Sequence, residues 1–297
     1  MPAEGVPLFE KSEILTFEEI YRLTKILSTA GVNKVRFTGG EPTVRKNLFE
    51  LAGLLGSIPE IKTIAMTTNG VLLRDQLDEL HNNGLSLLNI SLDTIDRDTF
   101  KNLTHRDELD RVLNSIDYAL SFSDLTVKIN SVVMRGINDL QITAIIDRFK
   151  NYPIELRFIE FMPFSGNHWS TDKFVGMDEQ LKIIQSQFEL NHIGYSECGT
   201  SNRFTIKNHN LTIGFISSMS HQFCSGCNRI RLTADGMFKS CLFENSELDL
   251  KTPLRNGYSD ADILNLIHSK ILEKREKHAG MKFISEHPGR PMISIGG

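Results

Sequence analysis

Apolar residues along the chain alternate between two rhythms. Short runs rich in β-branched and apolar residues at 35–38, 63–67, 87–92, 126–134 and 155–162 read as strands. The stretches 17–30, 48–55, 72–82, 109–122 and 140–150 carry apolar residues at helical spacing. Thr16 precedes the first of these with Glu19 three residues on, the pattern of a capping box. Strands separated by crossover helices must pair in parallel. The fold class is therefore α/β, as a barrel or as an open doubly wound sheet.

Polar residues punctuate the strand ends. Gly39-Gly40-Glu41-Pro42 follows the first strand, and Thr67-Thr68-Asn69-Gly70 ends the second. Ser91 and Asp93 end the third, Lys128 and Asn130 interrupt the fourth, and Glu160 and Met162 close the fifth. Ligands of parallel α/β folds bind at the carboxyl ends of strands, so these residues are expected at one mouth. Beyond residue 163 the rhythm weakens. A helix at 177–188 and strands at 204–206 and 211–216, read as a smaller sheet, suggest a division into 1–163 and 164–297. The tail predicts a charged helix over 259–277 and an irregular segment over 288–297.

With 297 residues the chain can bury a sizeable core, and 40% hydrophobic and 24% charged residues are ordinary for a globular protein. A net charge of −4 argues against nucleic-acid binding. It leaves room for a local basic pocket. No apolar run approaches the ~20 residues that span a bilayer. Neither a Walker-type phosphate loop, a Gly-x-Gly-x-x-Gly turn nor a His-Glu-x-x-His helix occurs.

Three of the four cysteines, Cys224, Cys227 and Cys241, lie close in sequence. Two intervening residues let Cys224 and Cys227 grip one metal. A hairpin turning at Ala234-Asp235-Gly236 would bring Cys241 back opposite Ile230. The spacing fits zinc with His221 as fourth ligand, or an iron–sulfur cluster on three thiolates. A disulfide is the less favoured reading of such spacing in a chain with so few cysteines. Cys198 reads as a buried apolar residue. Arg229 and Arg231 share one face of the hairpin strand, with Ile230 and Leu232 toward the core. Two guanidiniums beside a metal suit a phosphate or carboxylate, although a solvated strand face would show the same pattern. Lys128 and Arg36 stand in otherwise apolar strands. If they face inward they need an anionic partner.

Gly39-Gly40-Glu41-Pro42, Thr67-Thr68-Asn69-Gly70, Ser91-Leu92-Asp93 and Cys224-x2-Cys227-x-Arg229-x-Arg231 with Cys241 together resemble the GTP 3′,8-cyclase family of radical S-adenosylmethionine (SAM) enzymes. The resemblance implies an incomplete radical SAM (βα) barrel, here lacking its first strand, with a C-terminal α+β extension. It implies conversion of GTP to (8S)-3′,8-cyclo-7,8-dihydroguanosine 5′-triphosphate in molybdenum cofactor biosynthesis. There a 5′-deoxyadenosyl radical from SAM removes the 3′ hydrogen, and C3′ attacks C8 of guanine. By resemblance Gly40, Ser91 and Met162 contact SAM. Arg36, Thr67, Lys128, Arg229, Ile230 and Arg231 contact GTP. Cys224, Cys227 and Cys241 hold a second [4Fe–4S] cluster, and Gly296-Gly297 resembles a mobile tail that enters the active site.

The resemblance also places the Cys-x3-Cys-x2-Cys motif of the SAM-cleaving [4Fe–4S] cluster just before Met1. The expectation is a chain inactive alone, the alternative being a non-catalytic GTP-binding module with one structural metal site. Implied partners are GTP, SAM, a downstream cyclic pyranopterin monophosphate synthase and a second copy in a homodimer. The compartment is the cytoplasm for a bacterial chain and the mitochondrial matrix for a eukaryotic one.

Overall fold

The computed structural model describes residues 9–195, 199–221, 224–287 and 289–295. Cys198 and Gly296-Gly297 lie outside the described residues. Helix α1 (Phe17–Thr29) opens with the expected box: Thr16 Oγ accepts from the Glu19 amide at 3.2 Å, and the Thr16 amide donates back to Glu19 at 2.8 Å. Strands β1 (Lys34–Phe37), β2 (Thr63–Thr68), β3 (Leu85–Ser91), β4 (Thr126–Val133) and β5 (Glu155–Glu160) follow the sequence reading closely. The intervening helices are α2 (Leu48–Gly56), α3 (Leu77–Asn82), α4 (Arg97–Thr104), α5 (Leu109–Ala119) and α6 (Ile142–Phe149).

These five strands pair in parallel and in consecutive order. A doubly wound sheet would reverse its order partway, so the one-directional progression excludes it. All the crossover helices then fall on one face. That face is the main core: Ile64, Met66, Leu88, Ile90, Val127, Ile129, Leu156 and Phe158 pack with Leu51 and Leu55 of α2, Val112 and Ile116 of α5, and Ile145 and Phe149 of α6. Because strand side chains alternate, the intervening positions form the opposite face, and it is polar.

The sequence predicts a smaller second sheet, and the structure corrects this. After α7 (Met177–Gln185) come β6 (Leu190–Tyr195), β7 (Asn202–Ile206) and β8 (Thr212–Ile216). β8 pairs in parallel with β5, then β7 and β6 continue antiparallel, giving one sheet of eight strands. Ile213 and Phe215 join the main core. An apolar strand of this kind needs cover on its buried face, and the β5 edge offers both backbone partners and a ready core. The predicted helix at 72–82 also divides, into a 3₁₀ turn at Leu73–Asp75 and α3.

The remaining elements form a second unit of packing. Strands β9 (Arg231–Leu232), β10 (Met237–Lys239) and β11 (Leu248–Asp249) make a small antiparallel sheet, followed by α8 (Lys251–Arg255), α9 (Asp260–Leu272), α10 (Met281–Glu286) and α11 (Met292–Ile295). Helix α9 is shorter than the predicted 259–277, and part of the terminal segment read as irregular is helical. Leu15, Leu23, Ile26 and Leu27 around α1 bury against Phe238, Leu250, Leu254, Ile263 and Ile267, with Ile230 and Leu232 packed alongside. The early helix α1 thus forms the floor of the late cysteine hairpin.

Candidate active site

The register of the parallel strands lines up the polar face in rows. One row runs Thr67, Asn89, Lys128, Glu155 and Thr212 across β2, β3, β4, β5 and β8. The next runs Ser91, Asn130, Arg157, Gly214 and Arg203. Thr67 and Lys128 are thus separated by one strand, and Ser91 lies one row nearer the strand ends. Gly40, in the turn after β1, and Met162, just beyond β5, reach the same edge. The Met162 carbonyl accepts from Asn167 Nδ2 at 2.7 Å. Gly39 has a φ of 124°, a backbone conformation that a side chain would strain.

Cations dominate this face. The Arg36 guanidinium donates to the Thr67 hydroxyl at 3.2 Å and to the Met66 carbonyl at 3.4 Å. Burial, with the fields of Arg157 and Arg229, lowers Arg36 to about 10. Lys34 is lowered by burial and by Arg36, Lys128 and Arg157. Lys128 donates to Glu155 at 2.6 Å, and Arg157 donates to the other Glu155 oxygen at 2.7 Å. Burial raises the Glu155 carboxyl, but these two cations outweigh it and bring it down to about 2. Lys128 is nevertheless lowered, because burial and the adjacent Arg157 outweigh the pull of Glu155. One carboxylate shared between two cations stays ionised and leaves positive charge uncompensated. The partner that the sequence required for Lys128 is therefore inside the protein.

Arg229, at the base of the cysteine hairpin, is near enough to the sheet for its charge to act on Arg36. The hairpin's turn differs from the predicted one by a single position. Leu232 pairs with Phe238 and Arg231 with Lys239, a register that carries Cys241 toward Arg229 rather than Ile230. The cause is a three-residue loop in which Gly236 takes φ 86° and the Thr233 hydroxyl accepts from the Met237 amide at 2.9 Å. Arg231 is held down to about 10 by burial and by Arg229, with Cys227 and Cys241 acting in the opposite sense. Its Nε is buried without a hydrogen-bond partner, as are Oδ1 of Asn89 and Oδ1 of Asn130. Asn89 and Asn130 share the polar face of the sheet, and buried orphans of this kind suit a polar ligand that would satisfy them.

Cys224, Cys227 and Cys241 are free, half-buried thiols. Cys224 opens a 3₁₀ turn, and the Cys227 amide donates to the Cys224 carbonyl at 3.0 Å. Burial raises the Cys227 thiol, but the Arg229 amide and the charges of Arg229 and Lys274 bring it below its ordinary value. Lys274 Nζ also donates to the carbonyls of Cys227 at 3.0 Å and Arg229 at 3.4 Å. Thiols beside cations are the donor chemistry that a thiolate-ligated group needs. Among the described residues, no three His, Cys, Asp or Glu side chains form an arrangement that would hold a metal ion. His221, the candidate zinc ligand, faces Asp178 at 3.4 Å.

Sequence reasoning missed Lys34, Asn89, Glu155 and Arg157. Glu155 and Arg157 sit two apart on one side of a strand whose intervening positions 156 and 158 are apolar, the same signal that singled out Lys128.

The eight-stranded α/β sheet with this polar face defines a class. The Radical SAM superfamily description matches residues 3–149, and Molybdenum Cofactor Synthesis C matches residues 154–280. Among solved structures, Streptococcus suis SuiB shares the fold at TM-score 0.62 and 16% identity, over 94% of this chain and 71% of that one. GTP 3′,8-cyclase of Clostridium botulinum is 39% identical over 100% of this chain and 92% of its own length. The mitochondrial GTP 3′,8-cyclase of Arabidopsis thaliana is 45% identical over 100% of this chain and 76% of its own. The chain belongs to the GTP 3′,8-cyclase family of radical SAM proteins. Molybdenum cofactor biosynthesis protein 1 of Dictyostelium discoideum is 46% identical, and the chain spans 48% of its length. No helix among the described residues is long and apolar enough to cross a membrane.

Proposed function

We propose that this protein acts in molybdenum cofactor biosynthesis as a GTP 3′,8-cyclase, with GTP and SAM as its small-molecule partners. The observation that carries the reading is the meeting of Arg36, Lys128 and Arg157 on the sheet with Arg229 and Arg231 on the hairpin. Glu155 compensates two of these cations and no more than one charge. A triphosphate is an anion that several forked guanidiniums can bind bidentately. Arg36, Thr67, Lys128, Arg229, Ile230 and Arg231 bind GTP in this reading, and the geometry adds Arg157 and Lys34.

Gly40, Ser91 and Met162, on the edge of the polar face, bind SAM. Cys224, Cys227 and Cys241 would hold a [4Fe–4S] cluster, whose separate irons do not need three thiolates to converge on one ion. When bound, the family's clusters and SAM supply the radical chemistry. The chain's own residues bind and orient: guanidiniums fix the phosphates, Thr67 and the strand backbone set the depth of the nucleotide, and the rigid sheet holds the register. Catalysis by the protein is then positioning. In this reading residues 1–163 form the incomplete barrel, and 164–297 the extension that continues its sheet through β8, β7 and β6 and carries the cysteines. The family's cyclic pyranopterin monophosphate synthase would take the product onward.

Anaerobic reconstitution tests the reading. GTP binding, bound iron with acid-labile sulfide, and loss of that iron in a Cys224→Ala variant are expected. Formation of 5′-deoxyadenosine measures whether the chain cleaves SAM unaided. GTP binding with zinc and no sulfide would assign a non-catalytic nucleotide module, and absence of GTP binding would remove the proposal.

A further inference from the structure

The C-terminal segment is tied to the cysteine hairpin by one side chain. Arg290 donates to both oxygens of Asp235, at 2.9 and 3.2 Å, and its other terminal nitrogen lies 2.8 Å from Glu247. Asp235 belongs to the turn between β9 and β10, and Glu247 to the loop entering β11. The two carboxylates are 15% and 11% exposed. An exposed ion pair contributes little, but a forked guanidinium bridging two mostly buried carboxylates is a different object. Glu247 also faces Lys239 at 3.2 Å, so its two oxygens are divided between the hairpin and the tail.

Neighbouring contacts lie along the same path. Asn245 Nδ2 donates to the His287 carbonyl at 3.2 Å. A Cβ at Gly289 would stand 2.5 Å from Asn245 Oδ1, so the chain at Gly289 lies against the Asn245 side chain. Beyond Arg290 the chain turns into α11, and Ile295 is buried. At Gly40 a Cβ would meet the Ile293 carbonyl at 3.7 Å. The segment therefore runs from the hairpin to the glycine turn after β1.

We propose that Arg290 is the positioning residue of a C-terminal strap. By bridging Asp235 and Glu247 it fixes residues 289–295 on the cysteine hairpin and lays them against the Gly39-Gly40 turn. The strap couples the two halves of the polar face: the hairpin that carries Arg229 and Arg231, and the turn at the end of β1. Its functional meaning rests on the SAM and GTP reading above, while its existence does not.

Hydrogen exchange on the full chain, without nucleotide or SAM, reads the strap directly. In Arg290→Ala the amides of 292–295 and of 39–41 should both exchange at least ~10-fold faster, as local opening is freed. Arg290→Lys keeps the charge but cannot span two carboxylates, and should fall between. Arg22→Ala breaks a more exposed pair to Asp260 between α1 and α9 and should leave both segments unchanged. Unchanged exchange at 39–41 in Arg290→Ala, or an equal effect of Arg22→Ala, would overturn the strap. Failure of the wild-type chain to bind GTP would remove the functional reading and leave this result standing.

Discussion

Lys128 and Glu155 are cross-strand neighbours on β4 and β5, and the ammonium donates to the carboxylate over 2.6 Å. Arg157 holds the other oxygen, so the carboxylate is the pivot of the polar face. Glu155→Gln leaves two largely buried cations without their anion. We expect a loss of about 3 kcal/mol in urea unfolding, the scale for removing one partner of a buried pair. A loss below about 0.5 kcal/mol, the range of exposed pairs, would show that the trio is solvated.

The same carboxylate makes a pH prediction. Its folded value of about 2 lies below its ordinary 4.5, so the folded state favours the ionised form. Its contribution is fully present above about pH 4.5 and is lost as pH falls toward about 2. The stability gap between wild type and Glu155→Gln should therefore be constant from pH 7 to 5 and narrow toward pH 3. A gap that widens on acidification would contradict the sign.

Gly214 lies on the polar face beside Glu155 and beneath Ser201. A Cβ there would stand 2.1 Å from Ser201 Oγ and 2.9 Å from Glu155 Oε1. Ser201 is fully buried and its hydroxyl has no partner. Gly214→Ala should cost about 2 kcal/mol through overpacking. Ser201→Ala should be neutral or stabilising, and the double variant should recover most of the loss in a thermal melt. Additive effects would mean that the two residues do not touch.

Arg231 carries opposite expectations for stability and binding. Its buried, unpartnered Nε costs the folded chain, and the same atom is available to a phosphate. Arg231→Met should raise stability by about 1 kcal/mol. It should weaken GTP binding ~10-fold, the scale of one charge-assisted hydrogen bond. Calorimetric titration against GTP and guanosine separates the cases, because only the triphosphate should lose affinity.

The parallel strands were legible because both of their signals are local: apolar runs at strand length, and helical spacing between them. The fate of β8 was not, since pairing beside β5 is decided by a distant sheet edge and nothing in residues 212–216 encodes it. The hairpin was legible to within one residue. Its error came from Gly236, whose positive φ selects a three-residue loop and shifts every partner by one. Lys128 stood out in its strand, but its partner could not be named, because Glu155 reaches it through register and not through sequence spacing. Arg290 gave no sequence signal at all. Its meaning comes from two carboxylates in different loops.

The packing of α1 has a consequence for synthesis. Leu23, Ile26 and Leu27 are buried by Phe238, Leu250, Ile263 and Ile267, which the ribosome delivers long after α1. Until they emerge this helix offers a bare apolar stripe to any holdase or aggregating neighbour. Chains released before β10 should be recognised by their α1, and chaperone demand should fall once α9 has emerged.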